Sequence, residues 1–99
     1  MATFMISFRI KEIGDHESRR EMLNIAIQAA ADTYWDQTTS FYVITASNST
    51  SGLIEHLKTF IDDKHDIVLV RSLESKIAYV AGNVTDNDLF LIMPYCKKA

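Results

Sequence analysis

Apolar residues take every second position at the start of the chain, where Phe4, Ile6, Phe8 and Ile10 alternate with Met5, Ser7, Arg9 and Lys11. A period of two puts the first set on one face of a pleated strand and the second on the other, so a strand is predicted from about Thr3 to Lys11. Gly14 and Asp15 supply a turn and a carboxylate able to cap the first free helical amides. The period then lengthens. Met22, Leu23, Ala26, Ile27 and Ala30 recur at spacings of three and four, which predicts a helix from about His16 to Ala31 with Glu17, Arg20, Glu21, Asn24 and Gln28 facing out.

"DTYWDQTTSFYVITAS" reads as a hairpin, with Tyr34 and Trp35 on one strand and Phe41 to Ile44 on the next, around the turn-prone "QTTS". "SNSTSG" offers several caps for a second helix from about Thr50 to Ile61, on which Leu53, Ile54, Leu57, Phe60 and Ile61 share a face. "DDKHD" ends it, and "IVLVRS" and "KIAYVAG" are short β-branched strands. The tail "TDNDLFLIMPYC" fits two states: a short helix capped by Thr85 or Asp86 and stopped by Pro94, or an edge strand through Leu89 to Met93.

Strand, helix, two strands, helix, strand is an α+β order. It predicts a ferredoxin-like βαββαβ domain, an antiparallel sheet with both helices on one face, extended at the C-terminus by another strand and a short helix or strand. The core is expected over about residues 3 to 72 and an extension over about 76 to 99. One sheet face is then left open. The third strand is apolar on both sides, Phe41 and Val43 on one and Tyr42 and Ile44 on the other, and soluble monomers rarely leave such a patch in water. A second copy is the simplest cover, which makes Met5, Ser7, Tyr42, Ile44, Arg71 and Tyr79 the expected dimer interface, with the extension beside it.

Composition narrows the classes. A chain of 99 residues with 47% hydrophobic content is one domain, large enough to bury roughly two thirds of its unfolded surface. The single cysteine, Cys96, closes no internal disulfide and completes no zinc motif, and neither a leader pattern nor a membrane-length apolar run is present; a cytoplasmic, soluble protein is expected. A formal charge of −3 argues against nonspecific wrapping of phosphate backbones. The basic pairs Arg9 with Lys11, Arg19 with Arg20, Arg71 with Lys76, and Lys97 with Lys98 read as solvated surface charge, and the first two pairs are the candidate nucleic-acid contacts.

Catalytic patterns are scarce. His16, His56 and His65 stand singly at no metal-ligand spacing, and His65 within "DDKHD" reads as part of a solvated loop. Cys96 has no recognisable partner, no serine lies in a glycine elbow, and no glycine loop cradles phosphate. An RNA-recognition module shares the element order and stacks bases on sheet aromatics, so Phe4, Phe8, Phe41 and Tyr42 bear on it. "SFYVITA" lacks that module's basic start, glycine and aromatic spacing, however, and Phe4 and Phe8 belong to the face that meets the helices. Tyr34 and Trp35 read as sheet or interface anchors.

"MISFRI", "YWDQTTSFYVITAS" and "LIEHLKTFIDDKHDIVLVRSL" together resemble the small ferredoxin-fold proteins related to CRISPR-associated protein two, especially the free-standing SinR-like relatives. The resemblance spans about residues 3 to 82 in element order and spacing. It implies a homodimer packed through open sheet faces, with strands after the fourth extending across the partner. It also implies a carboxylate at the end of the first strand that joins its two-fold mate to hold a divalent metal for phosphodiester cleavage. Here that position is Arg9, which has no lone pair for a metal and whose two copies would repel one. The implied protein is therefore noncatalytic and without cofactor, a homodimer that binds nucleic acid or a protein partner. A magnesium-dependent endonuclease using Glu12 or Asp15 is the first alternative, and a pure protein-interaction module of a toxin-antitoxin or phage-defence system the second. Arg9 is expected to pair with a carboxylate such as Asp36 or to offer its fork to a phosphate.

Overall fold

The computed structural model describes residues 1–99 as an α+β domain. Its elements are β1 (Ala2–Arg9), α1 (His16–Ala30), β2 (Thr33–Trp35), β3 (Phe41–Ala46), α2 (Thr50–Leu57) running into a 3-10 turn (Lys58–Phe60), β4 (Ile67–Ser72), β5 (Ala78–Gly82), α3 (Asp88–Ile92) and β6 (Cys96–Lys98). They form one six-stranded sheet in the order β2-β3-β1-β4-β5-β6, antiparallel throughout except that β6 runs parallel to β5.

Alternation along each strand decides what lies on each side. Phe4, Ile6 and Phe8 of β1, Tyr42, Ile44 and Ala46 of β3, and Val68 and Val70 of β4 meet Leu23, Ala26 and Ile27 of α1 and Leu53, Ile54 and Leu57 of α2 in one buried core. Burial of each large apolar side chain there contributes on the order of 2 kcal/mol. Ser49 caps α2, its Oγ accepting the Gly52 N–H at 3.0 Å. Asp15 occupies the corresponding position before α1 without a side-chain cap, because its carboxylate is turned to Arg19 instead. Met22, expected on the buried stripe of α1, is 48% exposed.

Two interface expectations for β3 change sides. Tyr42 lies opposite Ile6 and Ile44 opposite Phe4, and directly paired residues share a face, so both point to the helices. Tyr79, opposite Val70, does the same from β5. The phenol of Tyr42 is met by α1: it donates to Oδ1 of the half-buried Asn24 at 2.7 Å and accepts from Nε2 of Gln28, which is exposed as expected, at 3.0 Å.

The tail resolves as the helix α3 followed by a further strand. Leu89, Phe90, Met93 and Tyr95 fold back over Ile67 and Leu69 of β4, Ala78 and Val80 of β5, and Cys96, making a second, smaller core on the side away from α1 and α2. The strand after β4 pairs with β4 of its own chain, Ile67 opposite Gly82 through Arg71 opposite Ala78, where the resemblance implied a crossing to the partner. Gly82 has φ +105°, and a Cβ there would stand 2.0 Å from the Asp66 carbonyl oxygen, so glycine alone lets the end of β5 lie against the loop before β4.

Candidate functional site

Arg9 leaves β1 opposite Ile67 and is exposed. One of its terminal nitrogens donates to the His65 carbonyl at 3.0 Å, and no carboxylate, Asp36 included, pairs with it. The remainder of its fork has no protein acceptor.

The arginine that does need an anion is Arg19. Its Nε donates to Asp66 Oδ2 at 2.9 Å, one terminal nitrogen donates to Asp66 Oδ1 at 3.4 Å and to the Lys11 carbonyl at 3.1 Å, and the other donates to the Ile13 carbonyl at 3.2 Å and to Asp15. All five donors of the guanidinium are occupied, which removes Arg19 from the candidate phosphate contacts. The pairing with Asp66, then Asp15, raises its pKa further.

Asp66 is wholly buried and also accepts the Lys11 N–H at 3.0 Å and the Asp62 N–H at 2.8 Å. Burial pushes its carboxyl up, but Arg19 and the two amides more than reverse this and hold it below the usual carboxylate range. "DDKHD" is therefore a folded brace and not a freely solvated loop. Asp62 pairs with His65 Nδ1 at 2.8 Å, and that contact with the Lys64 amide lowers the Asp62 pKa. The missed signal was parity: Asp66 continues the even-numbered run of Val68 and Val70, which faces the helices.

The other sequence candidates are dispersed. Lys11 contributes its backbone to this brace while its side chain is exposed, and Arg20 lies half-buried on α1 with no ion pair. Glu12 is exposed, Asp15 is engaged by Arg19, and no group of three or more His, Cys, Asp or Glu side chains is close enough to hold a metal ion. Arg71 is on the expected face but bound within the chain, its guanidinium 5.2 Å from the Tyr95 ring centre and donating to the carbonyls of Ser72 and Ser75. Cys96 is buried, which raises its pKa and makes its thiol a weak nucleophile.

Met5 and Ser7 do lie on the face away from α1 and α2, and they locate the main surface feature. With Val43 and Phe41 of β3 and Trp35 of β2 they form a stripe without charge across the β2-β3-β1 half of the sheet. Trp35 is 44% exposed and meets Phe41 edge to face, ring centres 6.5 Å apart. The β4-β5-β6 half is covered by α3. A groove of about 390 Å³ runs from the end of β1 over β4 and β5 to the segment entering α3, lined by Ser7 and Arg9, by Ile67, Leu69 and Val80, and by Val84, Asp86 and Leu89. This arrangement presents an apolar surface edged by one free guanidinium, with the Asp86 carboxylate lining the same groove.

Compared with known protein families, curated proteins and solved structures, the chain matches none. No helix is long and apolar enough to cross a membrane.

Proposed function

We propose that the chain is a noncatalytic, ferredoxin-like binding domain that acts as a homodimer through the bare β2-β3-β1 half of its sheet. The single observation carrying this reading is the uncharged stripe of Met5, Val43, Phe41 and Trp35, left open while the chain covers the other half of the same face with its own tail. Apolar patches of this kind mark interaction sites, and a second copy is their commonest cover. The β2-β3-β1-β4 order with both helices on one side supports the ferredoxin-like reading, and with it the likeness to the CRISPR-associated-two and SinR-like proteins. Light scattering at micromolar concentration tests it. The native chain should have about twice the 11.3 kDa mass of one copy, and Val43→Glu should have the single mass; a native monomer refutes the pairing.

One observation favours a second role on the same molecule. The free fork of Arg9 stands at the rim of the bare face, where it suits a phosphate of nucleic acid. Anisotropy titrations with duplex DNA and single-stranded RNA should then show binding that falls with salt and weakens in Arg9→Ala. Absence of binding at low salt removes nucleic acid and leaves the dimer as a protein-interaction module.

A further inference from the structure

Register brings an arginine and a carboxylate to one groove without pairing them. Arg9 lies opposite Ile67, Ser7 opposite Leu69, and Leu69 in turn opposite Val80, so all five residues share the sheet face away from α1 and α2. After β5 the chain turns back over this face, and Leu89 packs on the β4 and β5 side chains. The groove of about 390 Å³ is the space left between the end of β1 and this returning segment, which sets Asp86 in its lining with Arg9.

Both charged groups keep unused capacity. Arg9 spends one terminal nitrogen on the His65 carbonyl and has no carboxylate partner. Asp86 is held in place because its Oδ1 accepts the Asp88 N–H at 2.9 Å, while its Oδ2 receives no donor from the chain. Between them the floor is aliphatic. A simple anion drawn to Arg9 meets the Asp86 carboxylate, a simple cation meets the guanidinium, and a neutral apolar molecule satisfies neither. A molecule with both charges on an apolar body satisfies all three parts of the lining.

We propose that this groove binds a small amphipathic zwitterion, of which an α-amino acid with an aliphatic or aromatic side chain is the simplest. Its carboxylate takes the free fork of Arg9, its ammonium donates to Asp86 Oδ2, and its side chain lies on Leu69, Val80 and Leu89. Size agrees with a small ligand, since 390 Å³ is near the lower end of the range of about 300–1,000 Å³ typical of such sites. Every lining residue comes from one chain, so the site is complete in a single copy and stands apart from the pairing proposed above.

The test titrates the full chain, labelled with nitrogen-15, with leucine and with phenylalanine while its amide resonances are followed. The amides of Ser7, Arg9 and residues 84 to 89 should shift together with a Kd on the order of 100 μM, as suits a small ligand in a half-open groove. Glycine, N-acetylleucine and leucine amide remove the side chain, the ammonium and the carboxylate in turn, and each should bind at least about tenfold more weakly than leucine. Arg9→Gln and Asp86→Asn change exposed side chains, and the asparagine keeps an acceptor for the Asp88 amide, so both should melt as the native protein does. Asp86→Asn should bind leucine and N-acetylleucine alike, and Arg9→Gln should bind leucine and leucine amide alike. These two equalities report charge recognition, which a change in folding does not produce. No shift of the groove amides by about 5 mM of either amino acid overturns the proposal. Equal binding of N-acetylleucine or leucine amide by the native chain, or full discrimination kept by both variants, overturns it as well.

Discussion

Replacing Asp66 by alanine should be among the most damaging single substitutions in this chain, although no functional group is lost from its surface. The carboxylate is wholly buried and takes the Lys11 N–H at 3.0 Å, the Asp62 N–H at 2.8 Å and the Arg19 Nε at 2.9 Å. Truncation strands two amides and leaves the Arg19 guanidinium with Asp15 and the Lys11 and Ile13 carbonyls alone. Each unsatisfied buried amide costs about 1–3 kcal/mol, and the weakened hold on Arg19 adds to that. These penalties overlap, since all the groups share one network and water enters the space left, so the expected loss is about 4 kcal/mol in all. Against a total stability of about 5–15 kcal/mol, and with a urea slope of about 1.5 kcal/mol/M, the midpoint should fall by nearly 3 M. A fall below about 0.5 M would refute the claim that this brace ties the loop after β1 to the loop before β4. The double variant Asp66→Leu with Arg19→Met should be more stable than Asp66→Ala, because apolar side chains fill the space that truncation leaves and no guanidinium faces it. Acid supplies an independent reading. The folded pKa of Asp66 is depressed, so its contribution is complete above the unfolded value near 3.9 and is lost as pH falls through the lower folded value. The native protein should therefore lose stability steeply below about pH 4, and the double variant less so.

Other predictions concern the same architecture. Gly82→Ala sets a Cβ 2.0 Å from the Asp66 carbonyl oxygen at φ +105°; it should cost at least about 2 kcal/mol and lower the melting temperature by about 10 °C, and an unchanged melt would show that β5 does not approach that loop so closely. Tyr42→Phe deletes the hydroxyl bonded to Asn24 and Gln28 and should cost about 1 kcal/mol in urea titration without altering the mass in solution, which separates the helix face from the bare face. A change of mass in that variant would return Tyr42 to the interface.

Much of the fold was legible because each element carries its own period. The alternation of Phe4, Ile6 and Phe8 and the spacing of Leu53, Ile54 and Leu57 predicted β1 and α2 and the side each would bury, and all six are in the core. The face of β3 was not legible, because Phe41 and Val43 are as apolar as Tyr42 and Ile44, and a strand shifted by one residue exchanges its faces. Register with β1 decided it, and register is a long-range property. The same distance hid the brace: Arg19 and Asp66 lie 47 positions apart, so the arginine that needed an anion was sought at Arg9, near in sequence to the expected chemistry. "LFLIM" gave no choice between helix and strand because it is apolar at every position. Its helical state follows from packing across β4 and β5, which no local pattern encodes.

The central claim is that a second copy covers the bare half of the sheet, and Trp35 reports on that surface directly, being the only tryptophan in the chain and 44% exposed in the single copy. Its emission maximum, followed with the light-scattering mass from about 50 μM down to below 1 μM, is the measurement that decides most. The account predicts a red shift on dilution in step with the fall in mass, absent in Val43→Glu, which should emit at the red-shifted position throughout. Emission and mass that do not change with concentration, at the value for one copy, would contradict it.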